Sequence, residues 1–195
     1  MERLLQQIDF LIEADKLKNI FRRNYVSDGS RRENDAEHSW YFALAAMILS
    51  EYSNLEIDFQ KVIVMAIIHD LVEIYAGDTF IYDEQAKVGQ QEREKIASEK
   101  IFGLLPEDQK NHFLTLWNEF EEKSTPESKF ARSIDRIVAL LLNLKSNGKT
   151  WKEHQIDYSQ IYSINSTIAD GSSTLWSYMK EQLDGNKGKE VFYNS

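Results

Sequence analysis

The chain has 195 residues, a formal net charge of −9 and no cysteine. This length suits a single domain, and the lack of cysteine excludes disulfides and thiolate chemistry. An acidic chain without a long basic stripe is a poor general binder of nucleic acid, because phosphate contacts need clustered lysine and arginine. No apolar run reaches membrane-spanning length and the first residues lack a secretory signal, so we expect a cytoplasmic protein with no nucleic-acid or membrane partner.

Apolar residues recur at spacings of three and four along most of the chain, and strand-like alternation is scarce. We therefore predict one all-α domain over residues 1–184, followed by a loose, polar C-terminal tail at 185–195. The predicted helices span residues 2–20, 35–53, 58–76, 84–103, 106–123, 126–146, 157–170 and 173–184.

A basic segment follows the first predicted helix, with four arginines in eleven positions: Arg22, Arg23, Arg31 and Arg32. An acidic protein that handles a small anion needs such a local positive field, or a metal. Arg22 and Arg23 are candidates for a phosphate clamp, because the guanidinium fork matches phosphate geometry. A solvated loop is the alternative interpretation of both residues.

The second predicted helix carries His38 on its apolar stripe. Phe42 and Ala45 follow His38 by four and seven residues, so the imidazole faces inward. Taken alone, His38 could be a core histidine bonded to a backbone carbonyl.

The predicted helix at 58–76 is apolar almost all round, which is typical of a helix buried at the centre of a fold. It nevertheless contains His69, Asp70 and Glu73, which share one side at spacings of three and four. Burying carboxylates without a partner is costly, so this group indicates a cation.

The helix at 126–146 contributes Asp135, which lies four residues after Ala131 and three before Val138 on an apolar stripe. Asp135 therefore points inward, although a structural ion pair with Arg136 is the alternative. Together, His38, His69, Asp70 and Asp135 offer two imidazoles and two carboxylates. This set suits one divalent ion such as Mn²⁺, Co²⁺, Fe²⁺, Ni²⁺ or Zn²⁺, with Mg²⁺ less favoured by imidazole. An octahedral ion would keep two positions open for water and substrate.

Four stretches of the sequence carry a family resemblance: ENDAEHSW, IIHDLVEIYAGDT, LWNEFEEKSTPESKFARSIDR and GKTWKEH. The pattern His…His-Asp…Asp in an all-α chain resembles the HD superfamily of metal-dependent phosphohydrolases. The surrounding residues resemble the branch that contains bacterial 5′-deoxynucleotidases and HD-domain-containing protein 2. The resemblance implies a single HD-domain helical bundle with a mononuclear metal site in its core.

The resemblance also implies roles for individual residues. The metal would be bound by His38, His69, Asp70 and Asp135, and Glu73 and Asp78 would act in the chemistry. The family dephosphorylates nucleoside 5′-monophosphates, prefers deoxyribose forms and commonly forms homodimers. It holds substrate with an Arg-Trp pair in the first loop. Here Arg22 and Arg23 have no adjacent tryptophan, only Tyr25 nearby, so a deoxyribose preference does not follow.

Other interpretations remain open at this level. Glu73 could orient a ligand histidine, and Asp78 could cap a loop. Two-metal HD enzymes need further histidines between the His-Asp pair and the final aspartate. Only His112 lies between Asp70 and Asp135 here, which favours a site with one metal. A guanosine-tetraphosphate hydrolase is a second enzymatic possibility. A metal-stabilised module that senses nucleotides or binds a partner without catalysis is the alternative from another class.

Overall fold

A computed structural model describes residues 1–194. Within them the chain forms ten α-helices, short 3₁₀ turns and one two-stranded hairpin, which confirms the all-α fold class. The helices are α1 (Glu2–Ala14), α2 (Asp35–Leu49), α3 (Phe59–Ile68), α4 (Glu73–Ala76), α5 (Gln90–Phe102), α6 (Glu107–Glu122), α7 (Pro126–Lys145), α8 (Lys149–Glu153), α9 (Tyr158–Asn165) and α10 (Ser173–Asp184). None of these helices is long and apolar enough to cross a membrane.

Capping residues mark the first turns of α2 and α7, which carry two of the predicted site residues. Asn34 caps α2, with its side chain accepting from the Glu37 amide while the Glu37 side chain bonds back. Thr125 and Ser128 form the same reciprocal arrangement at α7, where Pro126 occupies the first turn. These caps satisfy amides that an uncapped helix would leave without partners.

The core lies where α2, α3 and α7 pack together, with α6 against α3 and α7. Its largest fully buried side chains include Phe42, Met65, Phe120 and Phe130. Burying such apolar area is the dominant favourable term in folding. Helices α2 and α7, which carry His38 and Asp135, and α3, which leads directly into His69 and Asp70, are therefore held in the core.

The N-terminal third differs from the predicted helix at 2–20. Helix α1 ends at Ala14, and a 3₁₀ turn over Asp15–Asn19 leads into an antiparallel hairpin of β1 (Phe21–Tyr25) and β2 (Arg32–Asn34). The pairing is short and irregular in register. Such a hairpin has too few residues for a strand pattern to stand out in the sequence.

The predicted helix at 58–76 is also interrupted. Helix α3 stops at Ile68, a 3₁₀ turn covers His69–Val72, and α4 follows as a single turn. Gly77, with φ of 77°, ends α4 in a conformation that favours glycine. The next helix, α5, begins at Gln90 rather than near residue 84, and α8 lies in a segment for which no helix was predicted.

The prediction of a loose tail is wrong at Val191 and Phe192, because both side chains are buried. Phe192 packs on Trp151, with ring centroids 5.5 Å apart, and the Tyr193 amide donates to the Ile156 carbonyl. A Cβ at Gly148 would lie 1.8 Å from the Val191 carbonyl oxygen, so only glycine fits beneath the segment. Apolar burial of these two side chains outweighs the polar residues around them. The domain division at residue 184 stays a prediction.

Candidate active site

Two histidines and an aspartate from three elements meet in the core. His38 on α2, His69 on the 3₁₀ turn and Asp135 on α7 each offer a ligand atom, and these atoms all lie within 4.8 Å of one another. His38 is completely buried, and its Nε2 lies 2.9 Å from Asp135 Oδ1. The carbonyl-bonded core histidine and the Asp135–Arg136 ion pair that the sequence left open are not found among residues 1–194, since His38 and Asp135 bond each other instead.

The His69 ring shows which of its nitrogens is free to bind a ligand. Its Nδ1 lies 3.0 Å from the Ala66 carbonyl, which can only accept, so Nδ1 carries the hydrogen. The buried Nε2 then presents a lone pair, has no hydrogen-bond partner and lies 3.0 Å from Asp70 Oδ1. Two acceptors facing each other repel unless a cation lies between them. Two ligands bound at about 2.1 Å and at right angles to one ion would be roughly 3 Å apart, so these residues fit a divalent metal.

Asp70 divides its carboxylate between two neighbours. Oδ1 faces His69, and Oδ2 accepts a 2.8 Å hydrogen bond from Arg22 Nη1. Burial raises the pKa of Asp70. Without metal, a second proton on His69 takes the place of the cation between the two side chains, and this charge, with that of Arg22, outweighs burial and lowers the pKa of Asp70 to about 2. Asp70 is therefore ionised at neutral pH, as a metal ligand must be.

A second group of three carboxylates lies beside the first cluster. Oxygens of Asp35, Glu73 and Asp78 lie within 4.8 Å of one another. Burial, followed by the charge of Asp70, raises the pKa of Glu73 well above its usual value and that of Asp35 to about 7. Burial also raises the pKa of Asp78. Acids this close need protons, a cation or an arginine to offset their repulsion.

Arg22 supplies part of that compensation from β1. Its Nη1 lies 3.6 Å from Asp35 Oδ1, and its Nε lies 3.9 Å from Glu33 Oε2. Only 16% of the Arg22 side chain is exposed. The guanidinium is therefore engaged by acids of the site, whereas the neighbouring Arg23 side chain is exposed and has no ion pair within residues 1–194.

An open cavity of about 740 Å³ adjoins both clusters. Seven of the eight predicted site residues line it, and His38 lies buried behind Asp135. Those seven are Arg22, Arg23, His69, Asp70, Glu73, Asp78 and Asp135. The cavity has a size that holds small-molecule ligands, so a metal held by the first cluster would face a bound substrate.

The family model of the HD domain matches residues 14–176 of this chain. The chain belongs to the HD-domain family. The 5′-deoxynucleotidase HDDC2 of Homo sapiens is 29% identical over 135 residues, which are 69% of this chain and 65% of that protein. The protein of the same name from Xenopus laevis is 30% identical over 139 residues, 71% of this chain and 68% of its own length. The chain thus matches slightly less than two thirds of the human relative.

The structural neighbours agree with this membership. A crystal structure of a predicted metal-dependent phosphohydrolase from Magnetospirillum magnetotacticum has a TM-score of 0.93 and 41% identity, covering 98% of this chain and 96% of that one. A conserved hypothetical protein from Pyrococcus furiosus matches with a TM-score of 0.68 and 22% identity, covering 92% and 98%, and shows the fold alone. Relatives and neighbours together support a hydrolase.

Two acids of this HD-domain site were missed by the sequence analysis. Glu33 is buried, and its Oε2 lies 3.7 Å from Nδ1 of His38, too far for a hydrogen bond but near enough to orient the ring. Glu33 lies on β2, which the sequence did not predict. Asp35 is three residues before His38 on α2, and this spacing alone could have placed it on the same face.

Proposed function

We propose that this protein is a metal-dependent phosphohydrolase that releases phosphate from nucleoside 5′-monophosphates, deoxyribonucleotides included. One divalent ion would be held by His38, His69, Asp70 and Asp135. The observation that carries the proposal is the buried lone pair of His69 Nε2, 3.0 Å from an Asp70 oxygen at the wall of the cavity. The names of the relatives supply the substrate class.

When bound, a divalent ion supplies positive charge that polarises the phosphate and lowers the pKa of water. The protein's own residues would move the protons. Glu73 and Asp78 line the cavity within reach of each other. One of them takes a proton from the attacking water, and the other gives one to the sugar oxygen as its bond to phosphorus breaks. The products are the nucleoside and inorganic phosphate.

The two neighbouring arginines would have different roles. Arg22 bonds Asp70 and holds that carboxylate in place. Arg23 is exposed at the cavity wall without an ion pair, so it is the arginine available to contact the phosphate of a substrate.

Metal reconstitution tests the proposal. The protein is stripped of metal, Mn²⁺, Co²⁺, Zn²⁺ or Mg²⁺ is restored separately, and phosphate release is measured for ribo- and deoxynucleoside monophosphates. We expect release only with metal, none with His69→Ala, and a loss of at least about a hundredfold with Glu73→Gln. The Glu73→Gln protein should still bind metal, because Glu73 is outside the proposed ligand set.

Two outcomes would contradict the proposal. If no reconstituted form releases phosphate although chelation lowers the melting temperature, the protein is a metal-stabilised binding module. If Glu73→Gln turns over at the wild-type rate, Glu73 has no part in proton transfer.

A further inference from the structure

Four cations that the proposed chemistry does not use line the same cavity. Lys87 is paired with Glu84 at 2.7 Å. The other three are named here the cationic cluster: Lys123, Arg132 and Arg136. Lys123 follows the last residue of α6, and the two arginines lie on α7. Arg132 precedes the proposed ligand Asp135 by three residues and Arg136 follows it directly. The two arginines therefore lie within about one helical turn, roughly 5 Å along the axis, of Asp135.

The positive charge of the cationic cluster is poorly compensated. Within residues 1–194, Arg136 makes no hydrogen bond or ion pair, and its Nη1 is shielded from solvent without a partner. In the same part of the chain, the one ion pair of Arg132 is with Glu121, at 3.4 Å, and its guanidinium lies over the Phe120 ring, 4.8 Å from the centroid. Its Nε is also shielded from solvent and has no hydrogen-bond partner. A buried donor without an acceptor is costly, and such groups normally have partners.

The nearby acids offset this charge only in part, since Asp135, next to Arg136 in the chain, is bonded to His38 at 2.9 Å. Glu121 faces Arg132, and Glu94 accepts a 2.6 Å hydrogen bond from Gln90. Lys123 has no ion pair in the described part of the chain, and the charge of Arg132 is the first cause of its lowered pKa. Three cations thus face an open cavity in a chain with 32 acidic and 23 basic residues. Positive side chains that repel one another beside a cavity are suited to binding an anion there, because the anion offsets their charge.

We propose that the cationic cluster binds a second phosphate group of the substrate, separate from the phosphate that reacts at His69 and Asp70. The preferred substrate would then be a nucleotide with two phosphate groups. This inference rests on the proposed function and deepens it. Water adds to the reacting phosphorus as the bond from that phosphorus to its leaving oxygen breaks, and the leaving oxygen takes up a proton. This oxygen belongs to the sugar in a bisphosphate and to the second phosphate in a diphosphate, so inorganic phosphate is released while the second phosphate stays on the nucleoside.

The dimensions of the cavity agree with a substrate larger than a monophosphate. Its volume of about 740 Å³ lies in the upper part of the range for small-molecule sites. The reacting phosphate would be contacted by the metal site and by Arg23 on β1. Arg132 and Arg136 come from a different element, so one nucleotide that spans both groups would contact two separate sources of positive charge.

The test compares three nucleotides on the Mn²⁺-loaded full chain: deoxyadenosine 5′-monophosphate, 5′-diphosphate and 3′,5′-bisphosphate. Binding is measured by calorimetry and turnover by phosphate release, for wild type and Arg136→Gln. Lys145→Gln is the matched control, since Lys145 is an exposed cation on α7 outside the cavity. We expect at least one doubly phosphorylated nucleotide to bind wild type about tenfold or more tightly than the monophosphate. Arg136→Gln should remove this preference, a loss of roughly ten- to a hundredfold, and Lys145→Gln should keep it.

The outcomes separate this inference from the proposed function. Equal effects of Arg136→Gln on all three nucleotides, or no preference in wild type, would overturn the second phosphate site. Arg136-dependent binding of a doubly phosphorylated nucleotide without phosphate release from any compound would support the site and overturn the proposed function. Should Arg136→Gln fail to fold, Lys123→Gln, at an exposed position, makes the same comparison.

Discussion

Arg22 and Arg23 are adjacent in the sequence but face opposite sides of β1, because successive side chains of a strand alternate. Arg22 turns inward, where its guanidinium bonds Asp70 and lies near Asp35 and Glu33. Arg23 turns outward and stays exposed. We therefore expect Arg22 to stabilise the site, and we propose Arg23 as the arginine that binds substrate.

We expect Arg22→Gln to lower stability and Arg23→Gln to weaken substrate binding. Removing the inward cation leaves buried carboxylates without a partner, which should lower the free energy of unfolding by about 3–5 kcal/mol. Arg23→Gln should change that free energy by less than about 0.5 kcal/mol and raise KM about tenfold. Urea denaturation and steady-state kinetics measure both quantities. Equal stability of the two variants would contradict this division of roles.

At the scale of residues, the structure places seven of the eight predicted side chains at one cavity and His38 behind Asp135, and their roles stay predictions. Helical spacing indicated His38, His69, Asp70, Glu73 and Asp135, because an inward-facing charged residue on an apolar stripe stands out. Asp78 came from the family resemblance, and the two arginines from the basic segment. Glu33 could not be found in that way, since it lies on a three-residue strand. The engagement of Arg22 by Asp70 is a contact between residues 48 positions apart, which no local pattern encodes.

The interruption between α3 and α4 has a physical cause in two hydrogen bonds. The His69 ring donates to the Ala66 carbonyl, and the Trp117 indole donates to the His69 carbonyl at 3.2 Å. In a continuous helix these carbonyls would accept from amides four residues later. A side chain of α6 thus helps to hold the turn that presents His69 to the metal cluster.

Replacing Trp117 with phenylalanine tests the importance of this turn. Trp117→Phe keeps an aromatic ring but removes the donor to His69 and leaves unfilled space. We expect a loss of about 1–3 kcal/mol in the free energy of unfolding, together with weaker Mn²⁺ binding. Tyr178→Phe, at a position that is 53% exposed, is the control and should change neither quantity. Unchanged Mn²⁺ affinity in Trp117→Phe would show that the indole does not position His69.

At the scale of elements, the long helices were predictable and the short segments were not. Capping residues and apolar periodicity define α2 and α7 within the chain itself. The hairpin and α8 are stabilised by tertiary contacts instead, such as the bond from Thr150 to the Arg23 carbonyl. The interruption at His69 belongs to the same class, because Trp117 is 48 residues away.

For the whole molecule, the buried acids and His38 predict how the metal-free protein responds to pH. Burial raises the pKa of Asp35 from 3.8 to about 7. Burial lowers the pKa of His38, but the hydrogen bond to Asp135 and the nearby carboxylate of Glu33 outweigh it and raise the pKa from 6.5 to about 9. A higher pKa in the folded state means that the folded state binds the proton more tightly, so stability falls as pH rises between the two values.

We therefore expect the melting temperature of the metal-free protein to fall from about pH 4 to about pH 9. Asp70 titrates near pH 2 and does not act in this window. Saturating Mn²⁺ should flatten the profile, because the cation replaces the protons, and Asp35→Asn should reduce the fall below about pH 7. Scanning calorimetry with and without Mn²⁺ measures the profile. A melting temperature that rises with pH in the metal-free protein would contradict the expectation.

The homodimer expected from the family resemblance stays a prediction, and an exposed apolar stripe on α2 favours it. Its residues are Trp40, Leu44, Met47 and Ile48, at spacings that share one helix face. Contiguous exposed apolar surface is typical of interaction sites. We expect twice the monomer mass in sedimentation and a monomer for Ile48→Lys. Val88→Lys, also at an exposed apolar position, should remain dimeric, and a monomeric wild type would rule out this use of the stripe.

The segment at 185–194 contributes to the stability of the hairpin that carries Arg22 and Arg23, although it is distant from that hairpin in the sequence. Val191 and Phe192 support α8, whose Thr150 holds the Arg23 carbonyl and whose Glu153 accepts hydrogen bonds from Tyr25 and Arg32. Residues 191 and 192 therefore stabilise β1 and β2 indirectly, because they pack on α8 and α8 bonds both strands. We expect a purification tag fused next to Val191 and Phe192 to disturb their packing against α8. Assays of this protein should therefore carry the tag at the N-terminal end of the chain.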